Sequence, residues 1–338
     1  MKQTPLGRTG VSVTRVGLGA MPLSIQGRPD PATARKVIQR AVELGVTFVD
    51  TADVYCLDHT EIGHNERLVG EALREMGVGF GGLAGRGPMG GSVAGSGAGT
   101  AGGSGAQGVV VATKGGMIRP DGRWERNGRP EHIRQACEAS LQALGVECID
   151  LYQFHTPDPG VPFLESVGAF ARLLDEGKVA SVGLSNVDIP QIRQAMDLVP
   201  ITSVQNRFGP WDVSFRPSPI VEFCREQGIT FLPYSPLGGR SRAGVVGEVP
   251  ALRELADRMG ASPHELVLAW ILRRGPHVVP IPGASRIESI ESSVRAAALE
   301  LDEEMDREIR RAFAALPGAQ GMMSRVVGRI RRMVGGGG

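Results

Sequence analysis

A carboxylate and a phenol lie five residues apart where an apolar run of the chain becomes polar. Asp50 ends the run, and Tyr55 follows it within FVDTADVYCLDHTEIGHNE, residues 48–66. Two later apolar runs also end in ionisable groups, VVVATK in Lys114 and IDLYQFH in His155. If these side chains meet, the ammonium group favours the phenolate and lowers the pKa of Tyr55, while Asp50 holds the ammonium in place. A tyrosine of that kind exchanges protons near neutral pH.

Each of these residues also has a structural explanation when it is considered alone. Asp50 could cap a turn, Lys114 could extend outward, and Tyr55 could be an ordinary loop tyrosine. His155 alone would be a buried structural histidine. Together the four favour catalysis, with a neutral His155 donating a hydrogen bond that orients or polarises a carbonyl oxygen. The set has no nucleophile and no metal ligands, so it protonates or deprotonates an oxygen and needs a hydride partner for redox work.

The elements that must position these groups repeat a single unit, in which a short β-branched run is followed by an amphipathic helix pattern. The eight runs are residues 15–20, 46–52, 109–114, 149–155, 179–185, 202–206, 229–235 and 277–283. The helix patterns are residues 31–45, 65–77, 130–145, 164–178, 188–196, 219–228, 287–298 and, within 250–275, the two stretches 250–260 and 263–275. Such alternation predicts an α/β fold, a (β/α)8 TIM barrel with extra C-terminal helical segments. Residues 4–16 predict an N-terminal β-hairpin that plugs the barrel's N-terminal end.

In such a barrel the chemistry lies at the C-terminal ends of the strands. The predicted strands end in polar or small residues, which are Asp50, Lys114, His155, Ser185-Asn186, Gln205-Asn206, Ser235 and Gly283. A barrel without a site would also have some polar strand ends, because loops are hydrated. An acid, a lysine, a histidine and amides gathered at one mouth nevertheless indicate a catalytic or ligand-binding site.

The barrel is predicted to be one domain, residues 1–318, interrupted by a Gly-rich insert and followed by a basic, frayed tail at 319–338. Fourteen of the thirty residues in the insert, 79–108, are glycine, which predicts a flexible surface loop. GRGPMG (85–90) and GAGTAG (97–102) match GxGxxG but neither follows a strand nor opens a helix, so we do not expect a phosphate loop. Because the insert feeds the start of a strand, it should lie far from the site and be catalytically neutral.

Bulk composition excludes several classes of function. The 37 basic and 36 acidic residues give a formal net charge of +1, so no nucleic-acid or membrane partner is expected. The four cysteines form no CxxC pair and no metal-ligand spacing, which favours a reducing, cytoplasmic location. The N-terminal residues lack the apolar region of a signal peptide, and no apolar run has the length of a membrane span. The expected partner is a small molecule, and the oligomeric state stays open.

Eight motifs together resemble the aldo-keto reductase superfamily, in that family's order. They are FVDTADVY, HNERLVGEAL, VVVATKGG, IDLYQFHTPD, VGLSN, SVQNRF, PYSPLGGR and IPGASR, and they extend from Gly17 to about Arg295. The resemblance implies NADPH-dependent reduction of an aldehyde or ketone to an alcohol. It also implies a catalytic tetrad of Asp50, Tyr55, Lys114 and His155, with Tyr55 as the general acid. The nicotinamide cofactor would lie extended across the barrel mouth without a Rossmann fold.

The resemblance further implies the residues that bind the cofactor. They are Gly19, Ala20, Met21, Asp50, Ser185, Asn186, Gln205, Tyr234, Ser235, Pro236, Leu237, Gly239, Gly283, Ser285, Arg286, Ser289 and Ser293. Ser185, Asn186 and Gln205 would hold the carboxamide, and Tyr234 would stack on the nicotinamide. Arg286 would clamp a 2′-phosphate, which favours NADP over NAD. Two departures bear on this: Cys56 stands where the family usually has Gly, and Ser292-Ser293 where it has Glu-Asn.

Two other functions are compatible with these residues. One is a Schiff-base lyase on the same barrel, with Lys114 as the nucleophile. The other is a cofactor-binding sensor or regulatory subunit with little turnover. The substrate walls are expected to include Trp124 and Trp211, with Phe208 and Phe215, which favours an apolar or aromatic carbonyl compound.

Overall fold

The computed structural model describes residues 1–79, 108–212 and 218–316 of the chain. Its strands are β1 (Gln3–Pro5), β2 (Ser12–Thr14), β3 (Leu18–Gly19), β4 (Phe48–Asp50), β5 (Val110–Gly115), β6 (Met117–Ile118), β7 (Glu125–Arg126), β8 (Leu151–Phe154), β9 (Val182–Ser185), β10 (Ile201–Gln205) and β11 (Thr230–Phe231). The antiparallel pair β1 and β2 is the predicted N-terminal hairpin. Its buried Leu6, Val11 and Val13 pack with Leu151 and Val279 of the barrel interior.

Seven parallel strands form the barrel in the order β11-β10-β9-β8-β5-β4-β3. The eighth predicted run, residues 277–283, closes it through bridges from Val278 to β11 and from Gly283 to β3. The amides of Gly17 and Gly19 donate to the carbonyls of Pro280 and Pro282, both at 3.0 Å. This run forms isolated bridges rather than a regular strand because two prolines remove amide donors from the ladder. The (β/α)8 prediction is confirmed.

Closure of the barrel requires a glycine in β3. A Cβ atom on Gly19 would lie 2.7 Å from the carbonyl oxygen of Ile281, closer than real Cβ contacts come. Any larger residue would therefore push the closing segment away from β3 and open the barrel beside the predicted site.

The helices surround the strands at nearly every predicted position. They are α1 (Pro31–Glu43), α2 (His64–Glu75), α3 (Pro130–Leu144), α4 (Phe163–Asp175), α5 (Ile189–Met196), α6 (Pro219–Gln227), α7 (Arg240–Val246), α8 (Pro250–Arg258), α9 (Pro263–Leu272), α10 (Ile287–Ala296) and α11 (Glu303–Phe313). The two stretches predicted within 250–275 are separate helices, because Gly260 takes a positive φ and Ser262 with Glu265 forms a capping box that starts α9. Neither α7 nor α11 lies within a predicted helix pattern.

Parallel pairing places the C-terminal ends of the strands at one edge. Asp50 pairs with Ala112 in β5, and Lys114 pairs with Gln153 in β8. The predictions for the insert interior, for Phe215 and for the tail at 319–338 concern residues outside the described ranges. Within those ranges, every helix is too short or too polar to span a bilayer.

Candidate active site

Lys114 is the centre of the hydrogen-bond network at the C-terminal end of the barrel. Its Nζ donates to Asp50 Oδ2 at 2.6 Å, to the Thr51 carbonyl at 2.8 Å and to the Tyr55 hydroxyl at 3.0 Å. The Lys114 side chain is fully buried, and that of Asp50 is 4% exposed. The three ammonium protons therefore have three acceptors, and the side chain has one orientation. The structure brings three of the predicted tetrad residues together around one atom.

The ammonium group of Lys114 stays charged in this setting. Burial lowers the pKa of Lys114, but attraction to Asp50 and Tyr55 outweighs burial, and the pKa lies above its ordinary value. A protonated amine has no lone pair with which to attack a carbonyl. A charged Lys114 therefore disfavours the alternative in which this lysine is the nucleophile of a Schiff-base lyase.

The expected fall in the pKa of Tyr55 is wrong. Burial raises the pKa of the Tyr55 phenol to about 12, and the nearby Lys114 only offsets part of that rise. The loss of hydration on burial, which residue types and spacing do not reveal, is here a larger effect on the phenol than the nearby cation. The phenol therefore holds its proton across the neutral range, which suits an acid better than a base.

His155 is a neutral imidazole beside the tyrosine. Burial lowers the pKa of His155 well below its ordinary value, and the positive charge of Lys114 lowers it further. Its ring lies 5.8 Å from the Tyr55 ring, edge to face, and 6.5 Å from the Trp124 ring. The prediction of a neutral histidine agrees with this arrangement.

The second oxygen of Asp50 is held by two amides. Gln205 Nε2 donates to Asp50 Oδ1 at 2.7 Å, and Gln153 Nε2 donates to it at 3.1 Å. Gln153 was missed by the sequence analysis, although a glutamine inside the apolar run IDLYQFH was a signal. Gln205 was predicted for the cofactor carboxamide, whereas its amide nitrogen here orients the carboxylate.

A cavity of about 610 Å³ opens above this network, a size within the range of roughly 300–1,000 Å³ usual for small-molecule sites. Most of the predicted site residues line it, namely Gly19, Met21, Asp50, Tyr55, Trp124, His155, Ser185, Asn186, Gln205, Tyr234, Ser235, Pro236, Leu237, Gly239, Gly283 and Ser285. Lys114 and Ala20 lie buried beneath the wall. Lining residues that the analysis did not single out are Pro22, Met117, Arg126, Thr156, Ala243, Ile281 and Pro282.

The wall formed by the loops after β9 and β11 depends on unusual backbone conformations. Asn186 has φ 58° and Ser235 has φ 47°, both in the left-handed region. Non-glycine residues held there cost of order 1–3 kcal/mol and cluster at ligand sites. The Tyr234 hydroxyl donates to Asn186 Oδ1 at 2.8 Å, and Asn186 Nδ2 donates to the His155 carbonyl at 3.0 Å. These bonds tie this wall to the tetrad.

Several predicted residues lie elsewhere. Trp211, expected in the substrate wall, is 2% exposed and packs in the core against Gly238, so that prediction is corrected. Its position after β10 in a loop suggested exposure, but a large ring gains more free energy by burial. Phe208 is likewise buried, stacked near Trp270.

The adenosine-side residues of α10 also differ from expectation. Ser293 is buried, and its hydroxyl donates to the Ser289 carbonyl at 2.8 Å within the helix. Arg286 is the exposed N-cap of α10, outside the cavity wall. Neither serine hydroxyl nor the guanidinium lines the cavity.

Comparison with known proteins agrees with this geometry. The family model described as "Aldo/keto reductase family" matches residues 15–313. A probable aldo-keto reductase of Glycine max is 34% identical, covering 92% of this chain and 88% of that protein. An uncharacterized oxidoreductase of Schizosaccharomyces pombe is 32% identical over 87% of this chain and 84% of its own length.

Solved structures show the same fold. The holo form of an aldo-keto reductase from Bacillus halodurans matches with a TM-score of 0.69 and 25% identity, over 92% of this chain and 96% of that one. The fold and the family match define an NAD(P)H-dependent oxidoreductase that acts on carbonyl groups. The chain belongs to the aldo/keto reductase family, as the motif resemblance implied.

Proposed function

We propose that this protein reduces an aldehyde or ketone to an alcohol with NADPH, and that Tyr55 is the general acid. The observation that carries the proposal is the position of Lys114 Nζ, which contacts Asp50 Oδ2 at 2.6 Å and the Tyr55 hydroxyl at 3.0 Å beneath an open cavity. The buried ion pair of Asp50 and Lys114 is thus hydrogen-bonded to the hydroxyl group of Tyr55, whose proton is the one transferred to the substrate.

The proton moves from the Tyr55 hydroxyl to the carbonyl oxygen. A pKa of about 12 keeps Tyr55 protonated before reaction. As the proton leaves, the ammonium of Lys114 stabilises the phenolate across the 3.0 Å hydrogen bond, and Asp50 keeps that ammonium in position. Neutral His155 donates a hydrogen bond that orients the carbonyl oxygen between the two rings.

The opposite wall of the cavity has the chemistry to hold a nicotinamide cofactor, which supplies the hydride when bound. Ser185 and Asn186 offer hydroxyl and amide groups beside Tyr234, whose ring presents a flat surface. Ser235, Gly239 and neighbouring residues line a path of small side chains and left-handed backbone suited to a pyrophosphate. Gly283 keeps the wall flat, because a Cβ there would lie 2.7 Å from Pro22 Cγ.

The preference for NADPH rests on Arg286. Its exposed guanidinium stands at the start of α10, where no side chain caps the first amides. A guanidinium and a helix N-terminus both favour a phosphate monoester. An aldo/keto reductase from Klebsiella pneumoniae, similar in fold at a TM-score of 0.68, was solved in complex with NADP and acetate.

The test is a fluorescence titration with NADPH and NADH, followed by a panel of aldehydes and ketones monitored by oxidation of the reduced nicotinamide. We expect tighter binding of NADPH and turnover of at least one carbonyl compound. Arg286→Gln should weaken NADPH about tenfold and leave NADH unchanged, with Arg253→Gln as the control. Tight binding without turnover would favour the sensor alternative, and absence of binding would refute the proposal.

A further inference from the structure

The positive and negative charges on the wall of the cavity do not cancel. Its titratable lining residues are Asp50, Tyr55, Arg126, His155 and Tyr234. Asp50 is compensated by the buried ammonium 2.6 Å away. His155 and both phenols are neutral, because burial lowers the pKa of the imidazole and raises that of each phenol. Among the described lining residues, Arg126 therefore contributes a positive charge that no acid of the cavity wall balances.

Arg126 is held on a short hairpin above the tetrad. Arg126 lies in β7 and pairs directly with Met117 of β6. Met117 follows Lys114 by three residues in the sequence. The neighbouring acid on the hairpin, Glu125, forms its ion pair with Arg123. Asp158, outside the cavity wall, accepts the amides of Gly128 and Gly160, both at 2.9 Å, and the charge of Arg126 contributes to lowering the pKa of Asp158.

An aromatic surface lies beside this guanidinium. The Trp124 ring is 44% exposed and lines the cavity, 6.2 Å from the Tyr55 ring. Behind it, the buried guanidinium of Arg119 stacks 4.0 Å from the ring centroid. Arg119 Nη2 in turn donates to the carbonyls of Cys56 and Leu57, both at 3.0 Å. The tryptophan is thus fixed against the loop that carries Tyr55 and presents a flat apolar face.

This rim is separate from the wall assigned to the cofactor. In the closed ring of strands, β5, which leads into the β6–β7 hairpin, lies four places from β11, which leads into residues 234–239. The two loops face each other across the mouth. A charge on Arg126 therefore acts on the substrate side.

We propose that the substrate is a carbonyl compound with a planar apolar body and an anionic group, such as a carboxylate, distal to the reacting carbon. The carbonyl oxygen lies between Tyr55 and His155, the body packs on Trp124, and the anion pairs with Arg126. This inference rests on the proposed reductase activity and adds the substrate class. It gives a role to a rim arginine that no acid of the cavity wall pairs with, on the same hairpin as a tryptophan ring that stacks on Arg119.

The test compares para-carboxybenzaldehyde with its methyl ester, which has the same ring and aldehyde but no charge. With NADPH, we expect kcat/KM to be about 5- to 10-fold higher for the acid at low salt, falling as salt is added. Arg126→Gln should remove this preference by lowering kcat/KM for the acid toward the value for the ester. Arg123→Gln, an exposed arginine of the same hairpin that does not line the cavity, should keep it.

Calorimetric binding of both compounds to the enzyme with oxidised cofactor gives the same comparison without turnover. Turnover of both compounds at equal kcat/KM, or equal effects of the two arginine variants, would overturn the substrate assignment and leave the reductase standing. Failure to turn over either compound, with the acid still bound more tightly through Arg126, would contradict the reductase instead. If neither compound is turned over and both bind equally, the assignment of the substrate class is overturned as well.

Discussion

Two buried carboxylates lie on opposite sides of β5, and they differ in the partner that the strand gives them. Asp50 faces the cavity and has a lysine cation at 2.6 Å. Glu66, on α2, lies behind the strand and accepts a hydrogen bond from the Thr113 hydroxyl at 2.5 Å. Thr113 and Lys114 are consecutive residues, so their side chains point to opposite faces of the barrel wall. One face of the strand therefore supplies a cation and the other only a hydroxyl.

The difference shows what a buried charge requires. Burial raises the pKa of Glu66 to about 7, against smaller opposing effects of hydroxyl groups and more distant cations. Asp53, also buried beside it, has its pKa raised well above the ordinary value by burial and by Glu66. Behind the barrel wall an acid takes up a proton, whereas in front of it a full ion pair persists. The ion pair lies where the proposed chemistry uses it.

The largest effect is expected from Lys114→Met, which removes the cation and keeps the volume. Asp50 would then be a buried carboxylate without a counter-charge, which costs about 3–5 kcal/mol of stability. Carbonyl reduction should fall by about 10³-fold or more. Urea unfolding and steady-state kinetics measure the two losses.

Lys178→Met is the matched control, because Lys178 pairs with Glu138 and Glu176 far from the cavity. Its activity should be unchanged and its stability altered far less. Retention of more than a tenth of the activity by Lys114→Met would contradict the role given to the cation.

Tyr55→Phe should come next, with an effect on the reaction and little on the fold. The change deletes one hydroxyl, so we expect kcat to fall by about 10²- to 10⁴-fold while NADPH affinity stays within about twofold. Tyr152→Phe is the control, since Tyr152 is fully buried outside the cavity. The assignment of the acid fails if Tyr55→Phe turns over substrate as fast as Tyr152→Phe.

Glu66→Gln tests the other side of the strand through the pH dependence of stability. Both folded and unfolded states hold the Glu66 proton below pH 4.5, and only the folded state holds it up to about pH 7. Glu66 by itself should therefore lower the free energy of unfolding of the wild type by about 3 kcal/mol as pH rises across this window.

The Gln variant should lose this contribution, and the fall that remains belongs to Asp53, whose pKa is also raised by burial. Glu71→Gln, at an exposed position of the same helix, should retain the slope of the wild type. Urea midpoints measured at intervals of pH distinguish the two. Parallel curves for Glu66→Gln and the wild type would show that Glu66 does not titrate in this range.

The parts of the site that sequence reasoning found are those at strand ends. Asp50, Lys114 and His155 each close an apolar run, and parallel strands place such ends at one edge. Gln153 was missed because period and propensity identify a strand but do not say which polar residue within it faces a partner. Trp211 was wrongly predicted to line the cavity, because its position in the core depends on contacts between segments that are distant in the sequence.

The sequence alone determined the alternation of strands and helices, the polar strand ends and the motifs of the family, because these depend on local spacing and residue type. Only the tertiary structure decided the pKa values of the buried ionisable groups. Whether Tyr55 has a low or a high pKa depends on how much water burial removes relative to the nearby lysine, and here burial is the stronger effect. The same holds for the pKa of Glu66, since hydration and distance between remote residues are properties of the folded chain.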